Sequence, residues 1–291
     1  MTVLVGLGPK TSGSVLDLAT TLAVENQRIV LCGVVLDTWE GPSLATGLDP
    51  RWRQELVRRT EQLLDDARDS MPDTVNVETV VRVGPSVPSE LLAEAAERKA
   101  EVLVVASSSR AAFGRVALGS ISDRLAHSAD LPVALTPRGY GPPGPDSVER
   151  LVLAVAPDNA SFVAGDIIPL AQRLGVAVDL VTFAVSPWPE TVSFDDGSWE
   201  GMFADWRRRT KEAQASVAAE LSEAGVAVGE HHLVDAHRWS TALGDFRWQA
   251  GDLLAVCSSR HGPVARVFLG STAARILKHT PVPTVMLPRT R

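Results

Sequence analysis

Short apolar runs rich in β-branched residues recur along the chain, separated by longer segments whose apolar positions return every three or four residues. The first kind reads as strands at Val3–Leu7, Arg28–Leu36, Asn76–Val83, Val102–Ala106 and Pro132–Thr136. The second reads as helices at Ser14–Glu25, Asp49–Ser70, Pro88–Lys99 and Gly119–Ser128. The pattern then starts again. Strands are expected at Leu151–Val155, Val176–Ala184, Val226–Leu233, Leu253–Cys257 and Pro283–Leu287. Helices are expected at Ser161–Leu174, Gly201–Ala224, Arg238–Gln249 and Gly270–Thr280. Runs such as VLVVA and LLAVC are apolar on both faces, as parallel strands covered by helices on both sides must be. Strand and helix in alternation, joined by right-handed crossovers, give a doubly wound α/β sheet.

The restart is an internal repeat. Glu101–Arg138 aligns without a gap onto Asp252–Arg289, bringing Arg115-Val116 onto Arg266-Val267 and Leu118-Gly119-Ser120 onto Leu269-Gly270-Ser271. Arg124, Pro132 and Pro137 fall on Arg275, Pro283 and Pro288. Val3-Leu4-Val5-Gly6 and Leu151-Val152-Leu153-Ala154 open the two halves, and the Gly/Pro-dense stretch GYGPPGPDS between them reads as a linker. A length of 291 residues suits two such units, each near the size of about 140 residues common for one domain. The expected organisation is residues 1–138, a linker over 139–148, and residues 149–291. Each unit is expected to be flavodoxin-like, Rossmann-like in its winding, with a five-stranded parallel sheet in the order 3-2-1-4-5.

Composition changes this picture only by exclusion. An apolar fraction of 45% supports a buried core and argues against disorder. A net charge of −7 counts against nucleic acid or an anionic membrane as the main partner. No apolar stretch approaches the roughly 20 residues that span a bilayer, and the chain enters a strand at once without a basic, then apolar, leader. Cys32 and Cys257 each lie in an apolar run, as thiols of a reducing compartment do. The expectation is a cytoplasmic protein.

In an open parallel sheet, ligands bind beyond the carboxyl ends of the strands, where the winding reverses. That places Gly8–Gly13 with Ser107–Gly119 in one half, and Ala156–Ser161 with Ser258–Gly270 in the other. Each long loop ends in Gly-Ser at a helix start, where free amides and the helix dipole favour an anion. The candidate contacts are Gly8, Lys10, Ser108, Ser109, Arg110, Gly119 and Ser120 in the first half. In the second they are Asp158, Ser259, Arg260, Gly270 and Ser271. Arg115, His261 and Arg266 belong to the same loops, and guanidinium forks there can hold a phosphate or carboxylate.

A fourth strand, a loop ending in Leu-Gly-Ser, a short helix and a Pro-Val-type final strand resemble the universal stress protein family, as does the run VVRVGPSVPSELLAEAAERKAEVLVVAS. The resemblance covers the chain twice. It implies a stress-response protein and, because many members of that family bind ATP, an adenine nucleotide or another anionic nucleotide as ligand. The family's loop reads Gly-x2-Gly-x9-Gly-Ser/Thr, with an Asp ending the first strand. Here the two earlier glycine positions hold Ala106 and Ser109, then Cys257 and Arg260, while the Asp position holds Gly8 and Ala156. Only the last Gly-Ser of each motif is present, and losing the other glycines narrows the phosphate cradle. A sensor or adaptor with degenerate ATP sites, forming a homo-oligomer or binding a protein partner, is the reading these residues support. A protein-interaction module without nucleotide is the alternative, and an adenine-nucleotide-processing enzyme ranks behind both.

Other signals carry less. Ser120 and Ser271 lack a GxSxG elbow and an assignable base, so capping and phosphate contact suffice for them. His231 and His232 are adjacent on a strand and so face opposite ways, which leaves no zinc spacing with His237. The segment Ser186–Trp206 and the pair Trp39 and Trp52 place aromatics on connections, where they must pack inward or meet a partner. Arg207-Arg208-Arg209 reads as a solvated helix face.

Overall fold

The computed structural model describes residues 2–9, 11, 13–23, 27–37, 50–108, 111–141, 147–185, 198–257 and 270–288. Along them run β1 (Thr2–Leu7), α1 (Ser14–Leu22), β2 (Arg28–Leu36), α2 (Pro50–Asp69), β3 (Asn76–Gly84), α3 (Val87–Arg98), β4 (Val102–Ala106), α4 (Ser120–Ser128) and β5 (Val133–Thr136). There follow β6 (Arg150–Ala154), α5 (Ala160–Leu174), β7 (Val178–Val185), α6 (Ser198–Glu223), β8 (Val228–Ala236), α7 (Trp239–Asp245), β9 (Asp252–Cys257), α8 (Ser271–His279) and β10 (Thr284–Leu287). Within each half the strands are parallel and keep the expected 3-2-1-4-5 order.

The two half-sheets are continuous with each other. One ten-stranded sheet runs β3-β2-β1-β4-β5-β10-β9-β6-β7-β8, closed at its middle by antiparallel pairing of β5 with β10. Thr284 faces Leu135, Val285 faces Ala134 and Met286 faces Val133. In the repeat alignment Ala134 is the counterpart of Val285, Val133 of Thr284 and Leu135 of Met286. The register is therefore symmetric about the Ala134–Val285 pair, and a pseudo-two-fold axis passes there normal to the sheet. All four residues of each strand are buried, so neither could stand as a solvated edge.

The axis keeps each face on its own side. One apolar layer gathers α1, α2, α5 and α6, with Leu18, Leu64, Ile167 and Val217 among its buried residues. The opposite layer gathers α3, α4, α7 and α8, through Leu91, Leu125, Leu243 and Ile276. Because the halves run antiparallel to each other, the carboxyl ends of their strands lie at opposite edges of the sheet. Arg173 of α5 also pairs with Glu101 across the junction. Its counterpart Asp252 stays within its own half, held by Arg150 at 2.8 and 2.7 Å. Arg150 reaches Asp179 as well, at 2.9 Å, and Asp179 accepts the Glu230 amide.

Helix α2 shows how position in the sheet dictates sequence. It covers the outer strands β2 and β3, and of its 20 residues only Leu64 is buried. Gly33 lets it sit close, since a side chain there would meet Thr60 Cγ2 at 2.3 Å. Helix α7 departs from expectation, ending at Asp245 rather than reaching Gln249. Phe246 leaves the helix with extended backbone and packs against Trp248, Phe183 and His232, ring centroids 4.6, 6.1 and 5.1 Å away. Trp248 Nε1 then donates to the Leu243 carbonyl at 2.7 Å. Residues two apart cannot share one helix face, so packing both aromatics against the core ends the helix.

On α3, Glu94 is 2% exposed and accepts from Arg82 of β3 and from Arg98, each at 2.8 Å. Burial would raise its carboxyl, but the two guanidinium hydrogen bonds outweigh that and hold it below the usual glutamate range.

Two predictions follow from this scaffold. Val285→Asp places a charge with no partner in the middle of the junction, and is expected to cost more than about 4 kcal/mol by denaturant unfolding. A loss under about 1 kcal/mol would mean the junction is not formed in solution. For Glu94, a carboxyl lowered in the folded state stabilises fully above the unfolded value of about 4.3 and less as acid titrates it. Glu94→Gln should therefore lower the unfolding midpoint at pH 7 and flatten its fall between about pH 5 and 3. An unchanged acid profile would contradict the assignment.

Candidate functional site

The turns that leave β1 and β6 are built alike from different residues. In the first half the Gly8 amide donates to Thr11 Oγ1 at 2.9 Å, and the Thr11 amide donates back to the Gly8 carbonyl at 2.9 Å. In the second the Ala156 amide donates to Asn159 Oδ1 at 2.8 Å, and the Asn159 amide returns to the Ala156 carbonyl at 3.0 Å. Pro9 and Pro157 follow Gly8 and Ala156, and their fixed φ suits a tight turn. Sequence reading missed Thr11 and Asn159, although a shared pattern of proline, any residue, then a short side-chain acceptor marks both. At both strand ends, Gly8 and Ala156, the backbone amide is thus already bonded. Asp158 sits on the second turn with its side chain exposed.

Strands β1 and β4 lie side by side with Val5 opposite Val104, so their carboxyl ends open together. The loop beyond β4 folds onto itself. Ser107 Oγ receives the Ala117 amide at 2.6 Å and donates to the Ala117 carbonyl at 3.0 Å, which also accepts the Ser108 amide at 2.8 Å. Gly119 lies against Ser108, whose Cβ would be 3.6 Å from a side chain placed there. Two of the expected contacts, Ser108 and Gly119, are thus adjacent. Ser120 was expected to cap α4, but Gly119 is the N-cap and Ser122 does the capping. Its Oγ takes the Gly119 amide at 2.7 Å, because only a side chain three residues into the helix can turn back to that amide. Ser120 is the first helical residue, exposed at the helix mouth.

The second half differs at this point. Gly270 is the N-cap of α8 and Ser271 opens the helix, but the position of Ser122 is held by Ala273, which has no hydroxyl to offer. Nothing in α8 itself reproduces the closure made in α4. Lys10, Ser109, Arg110, Ser259, Arg260, His261 and Arg266 lie outside the described residues. So do Trp39 and residues 186–197 of the aromatic segment.

Arg115, expected to face an anion, instead donates from Nη1 to the His279 carbonyl of the other half. Burial disfavours the thiolate at both cysteines. Burial pushes Cys32 up to about 12, with Glu94 adding to it. Burial, then Asp166, raises Cys257 well above the ordinary thiol value. Of the paired histidines, His231 is exposed while His232 turns to Asp179 at 3.2 Å. Trp52 is 64% exposed and so does not pack inward, whereas Phe203 and Trp206 stack on α6 with centroids 5.8 Å apart. The arginines of α6 are solvated but paired, Arg207 with Asp235, and Arg208 and Arg209 with Asp205. No helix among the described residues is long and apolar enough to cross a membrane.

A sequence model described as the universal stress protein family matches residues 1–137 and again 148–288. A universal stress protein of Mycobacterium tuberculosis is 34% identical over 307 aligned positions, covering 99% of this chain and all of its own length. Another from Mycolicibacterium smegmatis is 30% identical, covering 90% of this chain and 86% of that protein. Among solved structures, a universal stress protein of Archaeoglobus fulgidus aligns with a TM-score of 0.60 at 15% identity, over 99% of this chain and 96% of that one. A putative universal stress protein of Pseudomonas aeruginosa aligns with a TM-score of 0.56 at 14% identity, over 98% and 92%. At such identities the structural likeness speaks for the fold.

The turn chemistry is testable by exchange between halves. Asn159→Ala, which strands the Ala156 amide, is expected to cost about 1 kcal/mol in denaturant unfolding. Asn159→Thr, the residue type used at position 11, should recover most of it. Equal losses for both variants would show that the acceptor is not what holds the turn.

Proposed function

The chain belongs to the universal stress protein family and carries two copies of its domain in tandem, and from that premise we propose that it acts as a cytoplasmic sensor or adaptor of the stress response, binding an anionic nucleotide as a conformational ligand in its second half. The reading rests on one observation. The amide at the mouth of the first crevice is bonded to Ser122 Oγ at 2.7 Å, whereas the matching helix start in the second half has alanine at that position. A helix start draws an anion through its unsatisfied amides, and Ser122 occupies one such donor in the first half while Ala273 offers no matching acceptor in the second. The first half then serves as a folded platform, and the second keeps the capacity for ATP or a related polyanion around Gly270 and Ser271.

Binding without turnover fits the residues on hand. The raised thiols, the paired His232 and the exposed Asp158 offer neither an activated nucleophile nor a nucleophile–base pair. A module that binds only a protein partner is the second reading, favoured by the closed loop Ser107–Ala117.

Thermal unfolding of the full chain with ATP, ADP, AMP and inorganic phosphate tests this. A ligand at 100 times its Kd stabilises by about 2.7 kcal/mol, which for a chain of this size is a rise of several degrees. Gly270→Asp puts a carboxylate at the helix start and should abolish the ATP-induced rise. Gly119→Asp should leave the rise intact. The reverse pattern would overturn the assignment to the second half, and no rise with any nucleotide would favour the interaction module. Release of ADP or phosphate from ATP would make the protein an enzyme.

A further inference from the structure

Arg115 stands on the loop that leaves β4 in the first half, yet its guanidinium serves the second. Nη1 donates to the carbonyl of His279, the last residue of α8. The final carbonyls of a helix lack intrahelical partners and carry its negative pole, so a guanidinium is a fitting cap. The other end of the same nine-residue helix is Gly270-Ser271, the mouth of the second crevice.

The backbone around Arg115 is pinned from several sides. Its amide donates to the Ala112 carbonyl at 3.1 Å, and its own carbonyl accepts the Arg138 amide at 2.9 Å. The Gly114 amide donates to the Arg138 carbonyl at 2.8 Å, and Arg138 Nη1 reaches the Ala111 carbonyl at 2.9 Å. Two residues further on, Ala117 is locked to Ser107 and Ser108 at the base of the loop. The side chain is half-buried against the neighbouring half. Arg115 is thus a short, fixed arm whose position follows from whether the loop is closed.

We propose that Arg115 couples the two halves: the loop that closes the first crevice and helix α8, which opens the second, form one cooperative unit held across the pseudo-two-fold axis by this guanidinium. Two states define it. In the closed state Ser107 holds Ala117 and Arg115 caps α8. In the open state Ser107 releases Ala117, the arm withdraws and the last turn of α8 loses its cap. The loop held in this way sets Ser108 against Gly119, so occupation of the first crevice requires the open state. The helix start that receives an anion in the second half is then bound to the state of the first. This last consequence rests on the nucleotide reading given above, whereas the cooperative unit does not.

Hydrogen–deuterium exchange on the full chain without ligand tests the unit itself. Arg115→Ala should speed exchange by roughly fivefold or more, the lower range of coupling between sites, both in the 111–119 loop and in the 272–280 segment. Arg124→Ala, an exposed change on α4, should alter neither. Faster exchange in the loop alone, or in neither segment, would overturn the proposal. If Arg115→Ala fails to fold, Arg115→Lys, which keeps the charge but not the fork, should give the same paired change at smaller size, and an unpaired change there overturns it equally. A second arm adds ATP: the wild type should protect 111–119 at a distance, and Arg115→Ala should not. ATP that changes exchange nowhere would refute nucleotide binding while the ligand-free result still decides the coupling. ATP that protects the loop equally in both proteins would refute the relay.

Discussion

Strands β5 and β10 are each the last strand of a parallel half-sheet, each is buried along its whole length, and their backbone groups pair with each other. A strand with valine, alanine, leucine and methionine at its edge cannot be left open to water without inviting another chain onto it. Antiparallel pairing satisfies both edges at once. Because the register is symmetric about Ala134 and Val285, it also sets where everything else falls. It places α1 and α5 together over one face, α4 and α8 over the other, and the two crevices at opposite edges of the sheet. The reach of Arg115 to α8 and of Arg173 to Glu101 exists only because this junction brings loop and helix from different halves together.

Equivalent positions in the two halves have come to do different work. Glu101 crosses the junction, while its counterpart Asp252 is folded inward with Arg150 and Asp179. Beneath the outer helices, Gly33 and Leu64 make an apolar contact in the first half. In the second, Thr182 bonds the Val155 carbonyl at 2.7 Å and receives Gln214 at 3.0 Å. Buried polar groups of this kind are tolerated only when paired, and here each hydrogen bond is supplied from a neighbouring strand or helix. Both solutions hold a helix over two outer strands. Shape is common to the halves and chemistry is not.

Strand and helix positions could be read from the sequence because parallel strands leave unbroken apolar runs, and β2 and β4 begin and end where those runs do. The ungapped repeat likewise made the two alike halves legible, and the alternation of strand and helix gave each the doubly wound order it has. Fusion of the half-sheets was not, since a buried edge and a buried centre share one apolar signature in Val133–Thr136 and Thr284–Leu287. The end of α7 escaped because helical periodicity cannot tell which of Phe246 and Trp248 the core will take, and Phe246 is buried with Trp248 packed against it. At the candidate site, Ser108 and Gly119, both named from the loop after the fourth strand, lie side by side. Ser122, Thr11 and Asn159 were overlooked because their work is done through backbone amides, which leave almost no trace in composition. Arg115 had the right charge and loop but the wrong partner, for a cation suits a helix carboxyl end as well as an anion.

The covalent joining of two copies bears directly on that divergence. In a symmetric pair of separate chains, each substitution appears on both sides of the axis, so closing one crevice closes its twin. Once the halves share a chain, the position three residues into the short helix can be serine in one and alanine in the other. The junction tolerates this, since Ser122 and Ala273 stand on α4 and α8 and neither belongs to the β5–β10 pairs that set its register. Tandem fusion therefore separates two constraints that symmetry would otherwise tie together: the interface must remain self-complementary, but the crevices need no longer be alike. A protein so built can vary one helix start without altering the other, while the guanidinium of Arg115 still ties a loop of one half to a helix of the other.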